Sequence, residues 1–242
     1  MNIFSNNNTG ISFLDKMANI MQFLFGTLEQ FSNHIEPFTD NDSKFTFIHV
    51  TKCGGMSVEE YFEKHYSDYI IGRDHDTICT NSNNPIIVIR EPIDRFKSIY
   101  KYWKNGSILW KRNNKFKQKY RNHSIKDMIS LIKMQSFSDL YYGFTWNKHF
   151  DSQTKWLGNC DYSNIIVIKF VPDMNNKINT LIDQLNIPNK GVSLEKTNIS
   201  NTDNVTIDLD ENDIQWIKQQ YKDDFELWEQ INANPEKFKM VI

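Results

Sequence analysis

Apolar residues follow two rhythms along this chain of 242 residues. Three runs, Phe45–Val50, Pro85–Ile89 and Asn164–Phe170, are apolar and β-branched without alternation. Such runs predict strands buried on both faces, as in a parallel sheet. Each is followed by a turn and then by helical periodicity. Ser57–His65 places Val58, Tyr61, Phe62 and His65 on one face, and Pro92–Trp103 does the same with Ile93, Phe96, Tyr100 and Trp103. Met174–Leu185 repeats the pattern with Ile178, Leu181, Ile182 and Leu185. Strands alternating with amphipathic helices predict an α/β fold: three layers, with a central parallel sheet flanked by helices.

The C-terminal part predicts one further helix. Asp210 suits its cap, Asp213 stands at the third helical position, and Leu209 can staple onto Ile214. Ile214, Ile217, Tyr221, Phe225 and Trp228 form its stripe. Near the other end, Ile11, Leu14, Met17, Met21, Leu24, Phe25 and Leu28 have the spacing of an amphipathic helix over residues 11–32. Asp15, Lys16 and Gln22 would break a bilayer span there. That helix suits packing on the core first and docking on a membrane or partner second. With no internal repeat and no Pro/Gly-rich linker, the expected organisation is an N-terminal extension over residues 1–43 and one domain over 44–242.

Composition changes little in this picture. Apolar residues make up 39% and charged residues 24%, both ordinary for a globular protein. The net charge of −2 gives no global field for nucleic acid. Its distribution is uneven, because no Asp or Glu occurs from Arg95 to Lys126 while cations recur throughout. Such a block fits an anionic ligand or a solvated helical face. Cys53, Cys79 and Cys160 lack the spacing of a disulfide framework or a zinc site. No apolar run of about 18 residues and no signal-peptide pattern is visible. This leads us to expect a soluble protein, cytoplasmic if its source is bacterial or viral.

Two segments carry candidate chemistry. After the first strand comes Thr51-Lys-Cys-Gly-Gly-Met-Ser57, a glycine turn running into a helix start. Gly54 and Gly55 allow backbone N–H groups close to a phosphate, and the helix dipole aims at the same point. Lys52 adds a positive charge and Ser57 a hydroxyl. The Lys precedes the glycines, so the GxxxxGK[ST] pattern of nucleotide-hydrolysing loops is absent. After the second strand, Arg90 stands at the C-terminal edge, where parallel sheets bind ligands. Pro92 opens a helix on which Asp94, Arg95 and Ser98 share a face opposite the apolar stripe. Arg90 and Ser98 make a phosphate clamp. Glu59 and Glu60 read as an exposed pair near the start of the preceding helix.

These two segments resemble the PKTGGTS loop and the RDPxxRxxSxY motif of sulfotransferases that use PAPS (3′-phosphoadenosine 5′-phosphosulfate), especially the Golgi carbohydrate sulfotransferases. The loop departs from the family at Thr51, Cys53 and Met56, and the second motif at Glu91. Arg95 fits the second motif, but a structural role, salt-bridged to a neighbouring carboxylate, stays open for it. His149-Phe-Asp-Ser-Gln153, Ile165–Phe170 and Lys196-Thr-Asn198-Ile-Ser200 extend the resemblance, which covers about residues 44–230. It implies a P-loop-like fold and sulfuryl transfer from PAPS to a hydroxyl, of a carbohydrate or another acceptor, possibly anionic. Lys52, Cys53, Gly54, Gly55, Met56 and Ser57 would hold the 5′-phosphosulfate. Arg90 and Ser98 would hold the 3′-phosphate, with Tyr100 as the motif aromatic, and Asn198 and Ser200 would lie near the nucleotide. PAP is the product, and no metal is expected. A His is expected as general base: His75, in Gly72-Arg-Asp-His-Asp76, first, and His149 second. Two other readings compete with this one. One is a P-loop-type nucleotide kinase; the other is a non-catalytic protein that binds anionic glycans.

Overall fold

The computed structural model describes residues 44–73, 84–105, 122–134, 149–195 and 205–242, all within one compact unit, Asp42–Ile242. The expected extension over residues 1–43 lies outside them, as do His75, Asn198 and Ser200.

Five parallel strands form one sheet: β1 (Phe45–Ile48), β2 (Ile70–Arg73), β3 (Pro85–Ile89), β4 (Ile166–Lys169) and β5 (Met240–Val241), in the order β2-β1-β3-β4-β5. Seven α-helices are described: α1 (Gly55–Tyr66), α2 (Pro92–Asn105), α3 (Ile125–Met134), α4 (Thr154–Leu157), α5 (Asn175–Gln184), α6 (Glu211–Gln220) and α7 (Lys222–Ala233). The three predicted strands are β1, β3 and β4. Residues from Ile86 to Ile89 and from Ile165 to Ile168 are all fully buried, whichever way their side chains point. Both faces of the sheet are therefore covered, as unalternating runs require.

The two strands not predicted are those at the sheet edges. β2 is short and contains a Gly and an Arg, and β5 has only two residues. An edge strand needs less apolar surface, so its pattern is weak.

Two packed clusters result. The larger surrounds the sheet and takes in Val58 and Phe62 of α1, Leu181 and Ile182 of α5, and Leu227 and Ile231 of α7. The smaller joins Phe96 and Tyr100 of α2, Met128 and Ile129 of α3, and Ile217 and Tyr221 at the end of α6.

The predicted C-terminal helix starts as expected. Asp210 accepts from the Asp213 N–H at 3.0 Å, and Asp213 accepts from the Asp210 N–H at 3.1 Å. It does not continue as one helix, however. Tyr221, at φ −114° and ψ 33°, breaks it into α6 and α7. The Tyr221 hydroxyl donates to the Phe150 carbonyl at 3.0 Å, and its ring meets Phe96 edge-on at 5.9 Å. The single predicted stripe is therefore divided. Ile217, Tyr221 and Phe225 serve the smaller cluster, whereas Trp228 serves the larger.

Ile87 lies in the middle of β3, fully buried between β1 and β4. Ile87→Ala is expected to cost about 3 kcal/mol of stability. A denaturant titration that left the unfolding midpoint in place would contradict this account of the core.

Candidate active site

The sheet register pairs Ile48 with Ile87 and Ile89 with Lys169, so β1, β3 and β4 deliver their C-terminal ends to one edge. At that edge β1 turns sharply into α1. Lys52 (φ 63°) and Gly54 (φ 79°) both take the left-handed conformation. For Lys52 this costs about 1 kcal/mol or more, a strain of the kind that collects at functional sites. The start of α1 has no side-chain cap and no acidic residue in its first turn, so that turn itself does not offset the positive end of the helix.

The two glycines are required by their neighbours. A Cβ on Gly54 would lie 2.8 Å from the Phe170 ring, and one on Gly55 would lie 2.0 Å from the His49 ring. His49 is buried and donates through Nδ1 to Glu59 at 2.9 Å. Glu59 is therefore not part of an exposed pair, although Glu60 is exposed. Cys53 faces inward. Its thiol donates to Gln153 Oε1 at 3.1 Å, and burial pushes its pKa up to about 11. What Cys53 can offer a ligand is its backbone. Met56 and Ser57, in the first turn of α1, are half-buried.

Arg90 emerges just after β3. Its Nη1 donates to the Lys52 carbonyl at 3.2 Å, its Nη2 reaches Asp94 at 3.5 Å, and its guanidinium lies 4.3 Å above the Phe170 ring. The Arg90 Nε is buried with no hydrogen-bond partner among the described residues. An unmatched donor on a charged group is costly, and an anion beside it would remove that cost. Lys52 is held close by. Burial first, and then the Arg90 charge, lower its pKa to about 8. Two crowded cations and an orphaned N–H fit a polyanionic ligand. Ser98 lies half-buried on α2, two turns into the helix.

Arg95 takes the structural role, paired with a carboxylate, that the sequence left open beside a part in the motif. It does not share an open face with Asp94 and Ser98, because it is fully buried. Its Nε donates to the Thr51 carbonyl and its Nη2 to the Thr51 hydroxyl, each at 3.0 Å, and Nη2 also donates to the His149 carbonyl at 3.2 Å. Its Nη1 lies 3.9 Å from the buried Asp224 carboxylate. Burial raises the Asp224 pKa and the Arg95 charge opposes that rise. Much of the basic block, residues 106–121, lies outside the described residues, but both of its ends are paired. Arg95 is internal, and Lys126 pairs with Asp210 and Asp213 at 2.6 and 3.6 Å. Tyr100 is structural: its hydroxyl donates to the His123 carbonyl at 3.0 Å.

His149 begins a segment fastened at successive points. Besides the Arg95 and Tyr221 bonds to its carbonyls, Gln153 brackets the Arg90 backbone, accepting from its N–H at 2.9 Å and donating to its carbonyl at 2.8 Å. The Thr154 N–H donates to Asp224 at 3.1 Å. The His149 ring stacks on Tyr102, with centroids 4.9 Å apart. The Tyr102 ring also carries the Lys52 ammonium 4.1 Å from its centre. Lys52, Arg90 and His149 are thus brought to one place. Gln153, Tyr102 and Phe170 had no assigned part in the sequence reading. The positions of Gln153 and Phe170 within resembling segments could have pointed to them, whereas nothing in the sequence pointed to Tyr102.

Residues 36–229 match the sulfotransferase family. The chain belongs to that family. Comparisons with curated proteins and with solved structures give no match. Membership makes this a sulfotransferase, an enzyme that uses PAPS as donor and a sulfate acceptor as second substrate. The kinase and the non-catalytic glycan binder are set aside. Among the described residues no helix is long and apolar enough to cross a membrane.

In this sulfotransferase, Arg95→Met would leave Asp224 buried without its cation and release Thr51 and His149. The expected cost is about 3–5 kcal/mol, read by denaturant unfolding. PAP affinity should fall as well. Unchanged stability would show that Arg95 is not the tie described.

Proposed function

We propose that this sulfotransferase acts on a hydroxyl of a carbohydrate by in-line displacement at sulfur. The turn Lys52–Ser57 holds the 5′-phosphosulfate, Arg90 and Ser98 hold the 3′-phosphate, and Asn198 and Ser200 lie near the nucleotide. The observation that carries the donor assignment is the orphaned Arg90 Nε beside Lys52 at the C-terminal edge of the sheet. The acceptor oxygen forms the new S–O bond as the bond from sulfur to the bridging oxygen breaks. The acceptor proton passes to a His. Lys52 and the first amides of α1 stabilise the charge that develops on the bridging oxygen, so positioning and electrostatics supply most of the rate. This division of labour needs no metal.

His75 is the base in this reading, because it lies between the two nucleotide motifs, where the carbohydrate sulfotransferases that the sequence resembles place a His base. A second assignment, His149, is favoured by one observation: its ring stacks on the aromatic ring that carries the Lys52 ammonium. The carbohydrate acceptor rests on the resemblance at His149–Gln153 and in the tail. At the ends of the basic block Arg95 and Lys126 are paired within the protein, so an anionic acceptor rests on the cations between them.

The test is PAPS turnover on a panel of neutral and acidic saccharides. Lys52→Ala should lower kcat by about 10²-fold or more. His75→Ala should lower kcat by about 10²–10⁴-fold with PAP affinity unchanged. Full turnover in His75→Ala with loss in His149→Ala would move the base to His149. If no saccharide served while another hydroxyl compound did, the carbohydrate assignment would fail.

A further inference from the structure

We infer that Tyr102 is a positioning residue for the donor site, its ring face fixing the Lys52 ammonium at the cradle and seating the His149 imidazole beside it. The inference rests on the reading of Lys52 as a donor ligand. It goes beyond that reading by naming what holds the lysine in place.

The geometry is specific. Lys52 Nζ stands 4.1 Å from the Tyr102 ring centroid, within cation–π range. The His149 ring is nearly parallel to the same ring, at 11° and 4.9 Å. Tyr102 lies two turns beyond Arg95 on α2, the helix whose Arg95 is tied to Thr51, the residue before Lys52. α2 thus holds the backbone of the cradle with one side chain and the ammonium with another. A lysine has four rotatable side-chain bonds and no fixed direction of its own. The left-handed backbone at Lys52 sets where its side chain starts, and the Tyr102 ring sets where it ends.

The electrostatic setting explains why an aromatic ring suits this place. Among the described residues, the charged groups facing Lys52 are Arg90 at the end of β3 and Arg95 on α2, with the Cys53 thiol as its chain neighbour. Asp94, the nearest carboxylate on α2, pairs with Arg90. Both arginines and burial favour loss of the Lys52 proton. A carboxylate in the place of Tyr102 would restore the charge but would repel the incoming phosphosulfate. An aromatic face favours the ammonium without adding a net negative charge.

The test is PAP affinity as a function of pH, measured by calorimetry. Lys52 loses its charge as pH rises through about 8, so wild-type affinity should weaken above a break near that value. Tyr102→Leu removes the ring and should move the break down by about one pH unit. Tyr102→Phe keeps the ring and should leave the break in place. Fluorinated phenylalanines at position 102 nearly preserve shape while weakening the field of the ring, so the break should fall stepwise with fluorine count. That series decides the question if Tyr102→Leu does not fold. A break left unmoved by Tyr102→Leu, or by fluorination, overturns the inference and leaves the donor-site reading standing. A wild-type protein that does not bind PAP overturns both.

Discussion

A single buried guanidinium connects the parts of the candidate site. Arg95 is fully enclosed, yet its hydrogen bonds go to the turn after β1 and to the segment that begins at His149, and its counter-charge comes from α7. A charge in such a place is tolerable only when its donors are matched and an opposite charge is near. Each partner therefore has a position it must keep. The cradle turn, the His149 segment and the C-terminal helices are far apart in sequence, and this cation brings them into one arrangement.

Gln153 does similar work with a neutral group. Its amide pairs with both backbone groups of Arg90, as a neighbouring strand would, where β3 has ended. It also accepts from the Cys53 thiol. Arg90 can thus leave the sheet with its backbone satisfied and its guanidinium directed at the cradle. Phe170 supports the same guanidinium from the end of β4 and closes against Gly54. The candidate edge is built by side chains that need not themselves meet a ligand.

The sheet was legible in the sequence because β1, β3 and β4 are buried on both faces, and burial leaves an unbroken apolar run. β2 and β5 were not, since edge strands need little apolar content. The break at Tyr221 also escaped. Its cause, a hydrogen bond to Phe150 and a ring contact with Phe96, lies in distant parts of the chain. In the candidate site, the turn and Arg90 were legible from glycine placement and strand context. For Arg95 the sequence left a motif role and a structural ion pair both open, because only Thr51, His149 and Asp224, distant in sequence, decide between them. Glu59 misled for the same reason, as its partner His49 stands on another element.

The fit between His49 and Gly55 has an evolutionary side. The imidazole occupies the volume that any side chain at position 55 would need. Neither residue can drift alone without crowding or a void. In descendants of this gene, a larger residue at 55 is expected only alongside a smaller one at 49, so that the two positions are inherited as a pair.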